Sequence, residues 1–205
     1  MNIQQSELFD LSALSLESKI DGYVLQMAIK LWVVNIVETD YYITLDADVI
    51  LLRKFNFQDV IICDVSEIGE ITMKRGIYEN EPRDVHINWW IHSSKLLNFG
   101  DLDEDYDLSV DLHDGFGVTP AVMSVWGSHI LIDRLQNVYG KNMVENVLLE
   151  RFKMNIWTEY TMYALLLYEY GVFDSLHIEH DTNNRKILHC NDVWYDHQLP
   201  WNAKV

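Results

Sequence analysis

Residues 41–52, Tyr-Tyr-Ile-Thr-Leu-Asp-Ala-Asp-Val-Ile-Leu-Leu, constrain the fold more than any other stretch of this 205-residue chain. Aromatic and β-branched side chains fill Tyr41 to Thr44, a composition suited to a strand buried on both faces. Asp46 and Asp48 then stand where the strand ends, and a second apolar run follows at once. Carboxylates in so apolar a segment are costly unless a cation meets them. In an extended chain residues i and i+2 project to the same side, so both acids can converge on one ion. Carboxylate oxygens suit a hard divalent metal, Mg²⁺ or Mn²⁺. An acidic turn after a strand would produce the same triplet; the apolar framing favours the metal.

The formal net charge is −17 and no basic run occurs. This argues against a nucleic-acid partner, because phosphate contacts need Lys and Arg. It also gives a bridging cation a purpose if the substrate is itself anionic. Cys63 and Cys190 do not make a disulfide framework, and both are expected to be reduced and buried. No apolar run reaches the roughly 18 residues of a membrane helix. The opening residues Met-Asn-Ile-Gln-Gln-Ser-Glu lack the order of a secretory signal. A cytoplasmic protein with no membrane span is expected.

Tyr23, Val24, Met27, Ala28, Leu31 and Val34 recur at helical spacing, so a helix over 21–37 precedes the acidic strand. Strands are predicted at 60–64, 68–73, 86–91 and 121–125. Ser128 is a candidate cap for a helix that stops at Gly140, and a further helix is expected over 142–152. The longest helical pattern runs from Trp157 to Tyr170, with Gly171 as its end. A brief strand at 187–190 would carry His189. The acidic stretch 101–114 fails as a calcium loop, because Tyr106 and Leu112 occupy the positions that need Gly and Glu. Alternating strands and helices predict an α/β fold with a mixed, mainly parallel sheet flanked by helices, in a single domain over 1–205. In such sheets ligands lie beyond the carboxyl ends of the strands, where Asp46 and Asp48 stand.

Three blocks together, Gly22 to Leu31, Asp40 to Val49 and Arg53-Lys54-Phe55, resemble the core of the GT-A-fold glycosyltransferases. In that family an apolar helix leads into a strand carrying an Asp-x-Asp motif, which holds a divalent metal against a nucleotide-sugar diphosphate. The segment Trp157 to Tyr163 looks like the family's acidic helix start near the acceptor, and His189 lies where many members place a third metal ligand. The resemblance covers about residues 22–195 and extends to glycosyltransferase domains of large algal viruses that help glycosylate a capsid protein. Only 45 residues precede Asp46, with no opening strand–helix unit of the kind that binds the nucleoside. Either the chain is a portion of a longer protein or its nucleoside pocket is assembled differently.

The resemblance implies a Mn²⁺- or Mg²⁺-dependent transferase that moves a hexose from a UDP-sugar to a glycan or glycoprotein acceptor, in the host cytoplasm if viral. It implies metal ligands Asp46, Asp48 and His189, with donor contacts from Lys30, Leu45, Asp46 and Asp48. Lys186 is a second candidate cation, and Glu159 is the candidate catalytic carboxylate. A helix-start acid favoured by the helix dipole is the plainer reading of Glu159. His177 and His180 compete with His189 for the metal. Trp89, Trp90, Trp194 and Trp201 are candidates for stacking on a sugar. Two other classes stay open: a metal-dependent nucleotidyltransferase or phosphohydrolase, and a non-catalytic carbohydrate-binding module.

Overall fold

Helix α1, Gly22–Trp32, opens the described part of the protein, a computed structural model that describes residues 22–45, 56–99, 115–117, 121–140 and 157–179. Met27, Ala28, Leu31 and Val34 are buried at the spacing of one helical face, Val34 from the 3₁₀ turn Val33–Ile36 that follows. Strand β1, Tyr41–Thr44, comes next. Strands β2, Ile61–Val65, and β3, Ile71–Tyr78, form a hairpin. Its turn is closed by Gly69 N–H donating to the Ser66 carbonyl at 2.9 Å, with Gly69 at a φ of 84°. Helix α2 covers Ile87–Leu97, β4 Ala121–Ser124 and α3 Val125–Tyr139. Helix α4, Glu159–Glu169, a short turn of helix α5, Phe173–Leu176, and β5, His177–Glu179, complete the order.

The mixed α/β class is as expected, but a mainly parallel sheet is not what the described strands form. β1 pairs antiparallel with β4, Tyr41 opposite Ser124 and Thr44 opposite Ala121. In the second sheet, of order β2-β3-β5, β2 and β3 are antiparallel and β3 and β5 parallel. The tight Ser66–Glu70 turn dictates the antiparallel hairpin, since a parallel partner needs a long crossover. One consequence touches the site: beside an antiparallel neighbour the end of β1 abuts the start of β4, so no common carboxyl edge exists there.

Helix α4 is the centre of the core. Every residue from Glu159 to Leu167 is buried, the pattern of a helix surrounded on all sides. Thr158 caps it, accepting from Thr161 N–H at 3.1 Å, and Ser93 of α2 lies 2.7 Å from the Thr161 hydroxyl. The segment 86–91, expected as a strand, is instead the start of α2. Trp90, Ile91, Ser94 and Leu97 are its buried stripe, and buried Ser93 and Ser94 disguise the helical period in the sequence. Helix α3 is capped by Ser124, whose hydroxyl accepts from Gly127 N–H at 3.3 Å, and not by Ser128. Ser128 is fully buried one turn further on. Gly140 ends α3 as expected. Cys63 is half-buried rather than buried. The helix expected over 142–152 and the strand over 187–190 lie outside the described residues.

His177 joins the two sheets. Its ring is buried, with Nε2 2.8 Å from the Tyr163 hydroxyl, which also accepts from Ser124 N–H at 2.9 Å. The Tyr163 hydroxyl thus bridges the Ser124 backbone and the His177 ring. Burial pushes the pKa of the His177 ring down to about 3, against a smaller opposing influence of the Gly76 backbone. Between the ordinary value of 6.5 and about 3, the unfolded chain takes up a proton that the fold refuses. This contribution to stability is therefore present above pH 6.5 and is lost as the pH falls towards 3. Urea unfolding at a series of pH values should show a steeper acid loss in the wild type than in His177→Gln, by about 1.4 kcal/mol per pH unit. Equal slopes would mean that the ring takes its proton within the fold.

Candidate functional site

The end of β1 is where residues distant in sequence meet. Thr44, the last residue of the strand, is buried, and its Oγ1 donates to the Tyr160 hydroxyl at 3.1 Å. Lys30 Nζ donates to the same hydroxyl at 2.7 Å and stands 3.2 Å from Glu159 Oε1. The ammonium also lies 4.8 Å from the Tyr160 ring centroid. Tyr42 donates to the Lys30 carbonyl at 3.2 Å and lies 2.9 Å from Ser128 Oγ, tying α1 and α3 to the strand. Leu45 follows, 39% exposed, and Asp46 is the next residue.

Each component is placed by its own element. Lys30 is in the last turn of α1, where a cation is favoured by the helix dipole. Glu159 is the first residue of α4 after the Thr158 cap, where an anion is favoured. The two helix ends thus present opposite charges to one another, and the side chains pair in a space closed to water, Glu159 being 1% exposed and Lys30 9%. Burial, and next the charge of Glu159, raise the Tyr160 hydroxyl far above the ordinary phenol value, outweighing the ammonium of Lys30. Burial raises Tyr42 similarly, with Glu159 contributing. Both phenols stay protonated and act as hydrogen-bonding groups, not bases.

Of the residues singled out in the sequence, the fold brings Lys30 and Glu159 together, while Leu45 is exposed directly after Thr44. Asp46, Asp48 and His189 lie outside the described residues, as do His180, Lys186, Trp194 and Trp201. Among the described residues, no cluster of three His, Cys, Asp or Glu could hold a metal. His177 belongs to the core network described above. Trp90 is buried beneath the Arg83 guanidinium at 4.3 Å, while half-buried Trp89 stacks one face on His86 at 3.8 Å. Sequence reasoning missed Thr44 and Tyr160 as partners of the site. A polar residue closing an apolar strand and a tyrosine beside the acidic helix start are the signals that mark them.

The described elements define a mixed α/β protein with a buried ion pair at the end of β1, from which the chain continues into the Asp-x-Asp segment. A family model described as a family of unknown function (DUF6492) matches residues 2–204, and the chain belongs to that family. No curated protein and no solved structure matches it.

Removing one partner of a buried ion pair leaves the other charge desolvated, which costs far more than removing both. Lys30→Met should therefore destabilise the protein by about 3–5 kcal/mol in chemical denaturation. The double variant Lys30→Met/Glu159→Gln should recover much of that loss. If the double variant equals the single one, the pair carries no mutual dependence.

Proposed function

We propose that the protein is a metal-dependent glycosyltransferase that transfers a sugar from a UDP-sugar donor to a glycan or glycoprotein acceptor. The observation that supports this most is the anchoring of the strand end before Asp46. Thr44 is held by Tyr160, and Tyr160 by Lys30, two residues ahead of the Asp-x-Asp pair. A motif that must hold an ion needs a rigid base, because each lost degree of freedom is paid before the ligand binds rather than during binding.

Asp46 and Asp48, with the imidazole of His189, would supply a donor set of hard oxygens and one nitrogen that suits Mn²⁺ or Mg²⁺. Such an ion, when bound, neutralises the charge that builds on a departing diphosphate. The contribution of this chain's own described residues is positional. Lys30 gives its charge to Glu159, so it holds α1, β1 and α4 in register at the site. Glu159 is enclosed by that pairing beneath the strand end. Leu45, exposed between Thr44 and Asp46, supplies an apolar surface beside the motif. If the chain is viral, the transfer would occur in the host cytoplasm.

A thermal-shift screen of nucleotide sugars with and without Mn²⁺ tests the reading. Saturating ligand at about 100 times its Kd adds ~2.7 kcal/mol of apparent stability. One UDP-sugar should raise the melting temperature only with metal present, and Asp48→Ala should abolish the shift. Metal-independent binding of unchanged strength in Asp48→Ala would refute the proposal. Release of inorganic phosphate or pyrophosphate would point to the nucleotidyltransferase or phosphohydrolase class instead.

A further inference from the structure

A groove of about 550 Å³, lined also by Thr39–Tyr41, opens between the first half of β3 and the β4–α3 junction. That volume is in the range of small-molecule sites. Backbone groups around it are already engaged. The Tyr41 hydroxyl lies 2.7 Å from the Lys74 carbonyl and 3.0 Å from that of Leu176, and Val125 N–H donates to the Asp40 carbonyl at 2.9 Å. Recognition of a ligand here therefore falls to side chains, held on a closed frame.

Those side chains are of two kinds. Trp126, in the first turn of α3, is 53% exposed, and His129 follows on the same helix face, exposed as well. Among the described residues neither ring has a hydrogen-bond or stacking partner. The second kind is the Asp40–Lys74 ion pair, whose two charges cancel. A cation in the groove would have to displace Lys74 from Asp40, and an anion would have to displace Asp40 from Lys74 in a chain of net charge −17. A hydroxyl displaces neither, because it donates to a carboxylate and accepts from an ammonium at once. The pair keeps the capacity for this. Lys74 engages Asp40 Oδ2, which leaves Oδ1 unpartnered among the described residues, and an ammonium has three hydrogens to give.

We propose that this groove binds a neutral oligosaccharide, one pyranose ring stacking on Trp126 while its hydroxyls bridge Asp40 and Lys74 and reach His129. A pyranose has an apolar C–H face and a rim of uncharged hydroxyls, which matches an open indole beside a balanced ion pair. Exposed Met73, also lining the groove, adds apolar surface from β3. The groove adjoins Tyr41, at the opposite end of β1 from Thr44, so it holds a saccharide and takes no part in bond formation. The assignment stands on these residues alone and is independent of the transferase reading.

Titration calorimetry on the full chain with cellohexaose, maltohexaose and mannohexaose, with a chelator present and no nucleotide, tests this. At least one should bind saturably, weakened about tenfold or more by Trp126→Ala, which removes an aromatic anchor. Trp126→Phe should bind better than Trp126→Ala, and an unchanged melting temperature of both variants shows that the fold is intact. Lys74→Met should weaken binding, and hexagalacturonate, with a carboxylate on every ring, should bind less well than the neutral chains. Absence of saturation by all three neutral chains, unchanged affinity in Trp126→Ala, or tighter binding of hexagalacturonate overturns the proposal. So does a dimer of this chain in sedimentation that Trp126→Ala dissociates, because a second copy would then cover the tryptophan. With neither metal nor sugar nucleotide present, these outcomes leave the transferase reading to its own test.

Discussion

The buried pair of Lys30 and Glu159 is the contact on which the rest of the site depends. Two charges taken out of water cost several kcal/mol each, and their attraction compensates only when geometry is tight and further hydrogen bonds are made. Here the ammonium meets the carboxylate and a phenol at once. The phenol carries the constraint onwards to Thr44 and so to the end of β1. A change at any of these positions would be felt where the Asp-x-Asp segment begins.

The pair is also a junction of helix ends. The C-terminal turn of α1 and the N-terminus of α4 carry opposite partial charges, and each bears the side chain that complements it. Helix α4 gains a second constraint from the burial of Glu159 to Leu167, because a helix segment enclosed on every face cannot rotate or slide without opening cavities. The Tyr163–His177–Ser124 network acts from the same helix one turn later, linking β4 to β5. The core therefore places one polar layer under the end of β1 and another under its start.

The two ends of β1 differ in kind. Its C-terminal end, from which the chain continues to Asp46, is held by the buried Lys30–Glu159–Tyr160 cluster. Its N-terminal end opens on a groove with an exposed tryptophan and the Asp40–Lys74 ion pair. A strand of four residues spans about 10 Å between its terminal α-carbons, so the two surfaces are neighbours without overlapping. Membership of DUF6492 covers both ends alike.

Much of the secondary structure is legible in the sequence, because apolar spacing of α1, α3 and α4 and the β-branched content of β1 and β2 act locally. Gly140 and Gly171 mark helix ends by the left-handed backbone that glycine alone adopts at no steric cost. The strand expected at 86–91 fails for a non-local reason: Ser93 is buried because α4 offers the Thr161 hydroxyl to meet it, and that partner is 68 positions away. The pairing directions fail similarly, since local pattern cannot tell an antiparallel β4 from a parallel one. For the site, residue types in their apolar frame single out Asp46 and Asp48, and only the family resemblance adds Lys30, Leu45, Glu159 and His189 as candidates. That Lys30 neutralises Glu159, with Tyr160 and Thr44 completing the cluster, is decided by tertiary structure. Charges 129 positions apart pair only when packing brings two helix ends together and removes the water between them.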